Sequence, residues 1–314
     1  MNNVSTPLIT VVIATYNRAE TLKYAIESVL WQTFKNFELW VIGDCCTDHT
    51  EKIISSYSYD SRVNWYNLPK NSGYQSKPNN EGIRRGKGEY IAYLNHDDIW
   101  LPNHLEDTLN HLQKTNADIV FSIIQRVYTF TSSTPDIPLL PALPIPPEAT
   151  AVLHRKSIIN KIGYWKNIND TYSYPRVDFF RQAQFAGLKF DIVPSLTGLK
   201  FLWDEKNYHD AGPHAIYIER LKNEKDYAAK ELTSMLIRAE HKMYAWPNAK
   251  WFSYMIANPV RTLLLRWKID PASLWHRKGM QIQRWRKKHK LKEIPQEKPV
   301  KENIPVNQSA TIQN

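Results

Sequence analysis

Asn95-His96-Asp97-Asp98 places two adjacent carboxylates at the end of a short apolar run, Tyr90-Ile91-Ala92-Tyr93-Leu94. Neighbouring carboxylates repel one another unless a cation stands between or beside them. Mg²⁺ and Mn²⁺ favour such ligands, commonly one or two carboxylates completed by the phosphates of a substrate. The same pair has a second use, capping the helix that opens near Pro102. Asp44 directly follows another apolar run, where a carboxylate can accept hydrogen bonds from a base or ribose. Helix capping is again the alternative, although Asp48 already supplies a cap nearby. Tyr16 offers a face for stacking on a flat ring, or for core packing, and Thr15 and Asn17 offer hydrogen bonds. Asp178 opens a helical pattern, either as its cap or as a proton acceptor.

Each group needs an element to carry it. Residues 8–14 read as a strand buried on both faces. Leu22, Ala25, Ile26, Val29 and Leu30 then follow a 3.6-residue period. Strands are expected at 37–42, 63–66, 90–94 and 119–121. Helices are expected near Asp48, with Glu51 in capping-box spacing, at 80–85 beyond a loop with Gly73 and Pro78, and from Pro102 to about Thr115. This alternation predicts an α/β domain with a doubly wound, mostly parallel sheet and helices on both faces. Ligands in such sheets bind beyond the carboxyl ends of the strands, so Thr15–Arg18, Asp44 and Asn95–Asp98 should meet on one rim. The proline-rich stretch 135–147 reads as a loop. Strands at 151–154 and 190–193 and a helix at 178–186 follow. From Tyr217 the pattern is helical, and the polar tail after Glu293 is expected to be disordered.

The 314 residues suffice for one large α/β domain with an appendage. Cys45 and Cys46 are the two cysteines; being adjacent, they neither staple a fold nor make a metal pair, and their scarcity suggests a reducing compartment. No basic segment precedes 8–14, so no signal peptide is expected. No apolar run approaches the ~20 residues of a membrane span. The nearest, 251–267, is broken by Asn258, Pro259 and Arg261. The chain should be soluble or peripheral.

The net charge of +10 gathers toward the end, where 276–292 holds eight Arg and Lys and no acid. Trp246, Trp251, Phe252, Trp267, Trp275 and Trp285 interleave with basic residues. Such a segment suits an anionic membrane surface, or else packs on the body with a solvated basic face. Nucleic acid is not expected as a partner, because no binding module is present and the rim carboxylates would go unexplained.

Taken together, these residues resemble a family 2 glycosyltransferase with the GT-A fold. The resemblance runs from about Pro7 to Phe121 and more loosely to about His214. It is carried by Val12-Ile13-Ala14-Thr15-Tyr16-Asn17-Arg18, Ser28-Val29-Leu30-Trp31-Gln32-Thr33, Val41-Ile42-Gly43-Asp44-Cys45-Cys46-Thr47-Asp48, Asn71-Ser72-Gly73, Asn80-Glu81-Gly82-Ile83, the stretch 86–94 and Asp97-Asp98. The resemblance implies transfer of a sugar from a nucleotide diphosphate to an acceptor hydroxyl, inverting and metal-dependent, in polysaccharide or glycoconjugate assembly. The acceptor would be a glycan or lipid-linked, and the setting cytoplasmic, at the inner face of the plasma membrane if peripheral.

Residues 1–125 would then bind the nucleotide sugar, 126–216 the acceptor, and 217–292 would be a basic aromatic helical extension before the tail, 293–314. Thr15, Tyr16, Asn17 and Asp44 would hold the nucleoside. Asp97 would contact ribose or metal, Asp98 would bind Mn²⁺ or Mg²⁺, and His214 resembles a third ligand of some relatives. Asp178 resembles the acid that serves as catalytic base.

Three positions depart from the pattern. Gly43 and Asn95 stand where the family often has acids, and Asn79 where it commonly has arginine, which leaves Lys77 or Arg84 for the diphosphate. The acid replacements keep a second class in play, a nucleotide-sugar or glycan-binding protein without turnover.

Overall fold

The computed structural model describes residues 6–129, 147–203, 210–244, 263–274, 277–280 and 283–284. The tail 293–314, most of the proline-rich stretch and Trp246, Trp251, Phe252, Trp275 and Trp285 lie outside the described residues.

The first half alternates as its periodicity predicts. Strands β1 (Ile9–Thr15), β2 (Phe37–Gly43), β3 (Val63–Asn67) and β4 (Tyr90–Asn95) are interleaved with helices α1 (Ala19–Leu30), α2 (Thr50–Ser55) and α3 (Ser76–Arg85). A three-residue strand, β5 (Asp98–Trp100), turns straight back from β4 before α4 (His104–Thr115). Next come β6 (Ile119–Tyr128), β7 (Val152–Arg155), the single turn α5 (Ile159–Ile162), α6 (Pro175–Phe185) and the long β8 (Phe190–Leu202). Helices α7 (Gly212–Asn223) and α8 (Tyr227–Tyr244) make a helical extension.

The eight strands form one sheet in the order β3-β2-β1-β4-β7-β6-β8-β5. Its β3-β2-β1-β4 side is parallel, as expected. Beyond β4 the sheet is mixed, which corrects the expectation of a mostly parallel sheet. β7 runs antiparallel to both β4 and β6, and β5 runs antiparallel to β8. Antiparallel neighbours need no crossover helix, so no helical period announced them. β6 and β8 also extend well past 119–121 and 190–193. They pair in parallel across register shifts between Ser122 and Ile124, an irregularity that breaks strict alternation.

Period-2 alternation of β1 divides the core. Ile9, Val11 and Ile13 face Leu22, Ile26 and Val29 of α1 and Leu105 and Leu109 of α4. Val12, with Ile91 and Tyr93 of β4, faces Ile83 of α3 and Phe179 and Phe180 of α6. A β-carbon on Gly82 would stand 2.5 Å from Val12 Cγ1, so glycine there lets α3 lie against β1. A third cluster joins Ile99, Leu199 and Phe201 to Ile218 of α7 and Tyr227 and Met235 of α8.

Two buried polar links fix the layers. Gln32 donates to the Leu101 carbonyl at 2.7 Å and accepts from Leu105 N at 3.0 Å, tying the end of α1 to the start of α4. On the other face Asn80 bonds both ways with the Trp165 backbone, at 2.9 and 3.0 Å. Trp165 Nε1 donates to the Tyr93 hydroxyl at 3.1 Å, and Tyr93 lies 2.9 Å from His154 Nε2. His154 Nδ1 lies 2.8 Å from the Arg155 carbonyl, so it carries the proton and Nε2 accepts from tyrosine.

Candidate active site

Register alone brings the polar ends of three strands together. Thr15 pairs with Gly43, the residue before Asp44, and Ala14 pairs with Asn95. Asp44 N donates to the Thr15 carbonyl at 2.8 Å, and His96 Nδ1 lies 3.1 Å from the Ala14 carbonyl. The rim predicted from sequence positions about eighty residues apart therefore exists.

Tyr16 is 48% exposed there. Thr15 is buried, and its Oγ1 has no hydrogen-bond partner. Asn17 adopts the left-handed region at φ 49°. Its Oδ1 accepts from Thr47 N at 2.8 Å and Asp48 N at 3.3 Å, so its side chain locks the first rim loop to the second.

Asp44 organises a third loop. Its carboxylate accepts from Ser72 N at 2.9 and 3.0 Å and from Gly73 N at 3.1 Å, while its carbonyl accepts from Asn71 Nδ2 at 2.8 Å. Burial pushes its carboxyl above the usual range, against the pull of these hydrogen bonds and the Lys77 charge. Lys77 therefore stands near Asp44. Arg84 instead pairs with Glu81 at 3.6 Å and covers the Tyr164 ring.

The two carboxylates of the motif have opposite surroundings. Asp98 is fully buried in β5. Its Oδ2 accepts from Asn95 Nδ2 at 2.7 Å and from the Thr150 hydroxyl, and its Oδ1 accepts from Phe201 N at 3.2 Å. Asp97 lies in the β4–β5 turn, half-buried. Burial raises its carboxyl, but His96, Lys200 and Arg18 outweigh that and leave it below the ordinary range. Asp98, by contrast, is pushed by burial up to about 6 in spite of Lys200.

His214 reaches this turn from the first turn of α7, 117 residues further along the chain. Its Nε2 lies 3.0 Å from the Asp97 carbonyl, and its ring is stacked on Phe201 at 4.0 Å and on Trp203 at 5.3 Å. In this geometry the Nε2–H steadies the turn through the Asp97 backbone. Burial holds the imidazole neutral, with its pKa down to about 4.

Behind the turn runs a chain of ion pairs. Lys200 Nζ is 3.7 Å from Asp98 Oδ2 and 3.8 Å from Glu148 Oε2, and Glu148 pairs with Arg176 at 3.5 Å. Arg176 and Asp178 share the first turn of α6, where Asp178 is buried and paired with Lys166 at 3.1 Å. Lys200, Glu148 and Arg176 had escaped the sequence reading. Lys200 left one trace, a lone cation inside the apolar end of β8, Thr-Gly-Leu-Lys-Phe-Leu.

Two departures from the family pattern now have reasons. A β-carbon at Gly43 would meet Asn67 Oδ1 and the Trp65 ring at 2.5 Å. Asn67 fills that place and bonds Cys46 N and O, at 2.8 and 3.0 Å, holding the Asp44 loop as an acid could not. Asn95 supplies a donor to Asp98 where aspartate would add a repelling charge.

Among the described residues no three His, Cys, Asp or Glu side chains converge as a metal cage.

The glycosyl transferase family 2 model matches residues 10–193. The chain belongs to that family. It is 40% identical over 119 residues to the uncharacterized glycosyltransferase RT0329 of Rickettsia typhi, covering 38% of this chain and 36% of that one. It is 36% identical over 114 residues to the poly(ribitol-phosphate) beta-N-acetylglucosaminyltransferase TarP of Staphylococcus aureus, covering 36% of this chain and 35% of that one. The chain thus spans little more than a third of these curated relatives. Among solved structures, S. aureus TarS 1-349 superposes with a TM-score of 0.53 at 21% identity, over 62% of this chain and 60% of that one. The mannosyltransferase PcManGT of Pyrobaculum calidifontis, solved with GDP-Man and Mn²⁺, gives 0.51 at 14% identity over 89% and 85%. Those likenesses bear on the fold.

Proposed function

We propose that this chain is an inverting GT-A glycosyltransferase. It moves a sugar from a nucleoside diphosphate to an acceptor hydroxyl in the assembly of a glycan or lipid-linked glycoconjugate. The observation that carries the reading is the meeting of Thr15, Asp44 and the Asp97 turn on one rim, with His214 and Lys200 converging on that turn.

Tyr16 stacks on the base, and Thr15 and Asp44 bind the nucleoside. Asn17 shapes their loop. Lys77 faces the diphosphate. Asp97 is the carboxylate that fits Mn²⁺ or Mg²⁺, because Asp98 already has its oxygens engaged. The bound ion would offset the negative charge that grows on the departing diphosphate, a Lewis-acid role worth several kcal/mol. His214 and Asp98 position Asp97. Asp178 accepts the acceptor's proton as the new bond forms, on the order of 10²–10⁴-fold in rate. Two free thiols, Cys45 and Cys46, fit a cytoplasmic setting.

A panel of nucleotide sugars assayed for donor hydrolysis and transfer with Mn²⁺ tests the reading. Turnover of at least one donor, abolished by a chelator, supports it. Donor binding without turnover across acceptors would instead mark a binding protein.

A further inference from the structure

Residues 263–274 and 277–280 form a strap fixed to the body at two points. Asp270 pairs with the buried Arg181 of α6, and Gly279 N donates to the Thr171 carbonyl at 2.9 Å. Asp270 is the sole acid between Leu263 and Lys292, so its pairing leaves the outer side cationic. Arg266, Lys268, Arg277 and Arg284 are exposed, while Lys278 Nζ lies 5.6 Å from the Tyr172 ring of the body.

The same segment exposes apolar side chains. Trp267 N bonds the Leu263 carbonyl at 3.1 Å, which sets these two side chains one helical turn apart on one face. Lys268 then turns left-handed at φ 57°, with Ile269 N bonded to the Leu264 carbonyl at 2.9 Å, and the helix ends. Trp267 is 65% exposed, and Leu263, Ile269 and Leu274 are exposed beside it. One short segment thus exposes a large aromatic and three aliphatic side chains together with four cations.

We propose that this outer face docks on an anionic lipid bilayer, Trp267 and its aliphatic neighbours entering the headgroup boundary while the cations face lipid phosphates. A nucleic acid would engage the cations and leave Leu263, Ile269 and Leu274 in water, which favours the bilayer. The strap grips α6, the helix of Asp178, so docking sets the acceptor side of the domain against the membrane; that last step rests on the glycosyltransfer reading.

Co-sedimentation of the full-length protein with vesicles of phosphatidylcholine, with or without phosphatidylglycerol, tests it. Binding is expected only with the anionic lipid. Combined Arg266→Glu and Arg277→Glu should weaken it more than tenfold, at roughly five-fold for each cation lost. Trp267→Ser should weaken it several-fold with an unchanged melting temperature, since the side chain is exposed. Absence of binding to anionic vesicles would overturn the proposal. So would binding that charge reversal removes, that Trp267→Ser leaves intact and that RNA displaces, the mark of a polyanion site. Sedimentation needs neither donor nor turnover, so this result is separate from that of the transfer assay.

Discussion

Lys200 stands directly opposite Asp98 across the β5–β8 ladder, its Nζ 3.7 Å from the fully buried carboxylate. The same ammonium faces Glu148, and burial's penalty on its charge is outweighed by Asp98, Glu148 and Asp97, which raise its pKa. One cation thus supports the carboxylate beneath the β4–β5 turn and, through Glu148 and Arg176, the first turn of α6.

Removing that cation strands two acids. Lys200→Met should destabilise the fold by about 3–5 kcal/mol, the usual cost of breaking a buried pair from one side. Chemical denaturation measures it. A loss below about 1 kcal/mol, the scale of exposed ion pairs, would show the contact to be incidental.

Restoring the family's acids should harm this chain. Asn95→Asp removes a donor from buried Asp98 and adds a like charge, an effect of about 1–3 kcal/mol. Gly43→Asp must displace Asn67 or Trp65 and free the Cys46 loop. Both variants should melt lower and turn over donor more slowly. A gain in activity for either would mean that these residues are losses rather than local solutions.

The rim was legible because each parallel strand ends where apolar residues give way to Thr15, Asp44 and Asn95. Helix faces were legible through their period, and Gln32, quoted in the motif, proved to be a buried clasp. The division of labour between Asp97 and Asp98 was not legible. It depends on β5 pairing with β8 about a hundred residues away, a contact three residues long with no pattern of its own. His214 was selected by resemblance, yet what it touches, the Asp97 carbonyl, is a backbone atom that no motif encodes.

Among the described residues three histidines are buried neutral: His104, with its pKa lowered to about 3, and His154 and His214, lowered to about 4, burial being the first cause in each. Their ordinary value is about 6.5. As pH falls below it, the unfolded chain takes up protons that the native chain refuses, so stability drops until the folded values are reached. Each histidine should cost about 2 kcal/mol at pH 5. Melting temperatures measured from pH 7 to 5 should fall steeply. A flat profile would show that these side chains protonate without penalty.

Asp178→Asn should keep donor binding and lose on the order of 10²–10⁴-fold in turnover. Steady-state transfer with a saturating donor measures it. Wild-type turnover in Asp178→Asn would remove this residue from the chemistry.

In the proposed reaction Asp97, rather than Asp98, would meet the metal and diphosphate at the rim. The most direct test is the melting temperature of wild type and Asp97→Asn with Mn²⁺ and the nucleoside diphosphate that best stabilises the wild type. At ligand near a hundred times Kd, wild type should gain about 2.7 kcal/mol, a rise of several degrees. Asp97→Asn should melt normally without ligand and lose that metal-dependent rise. An equal rise in both proteins would contradict the account.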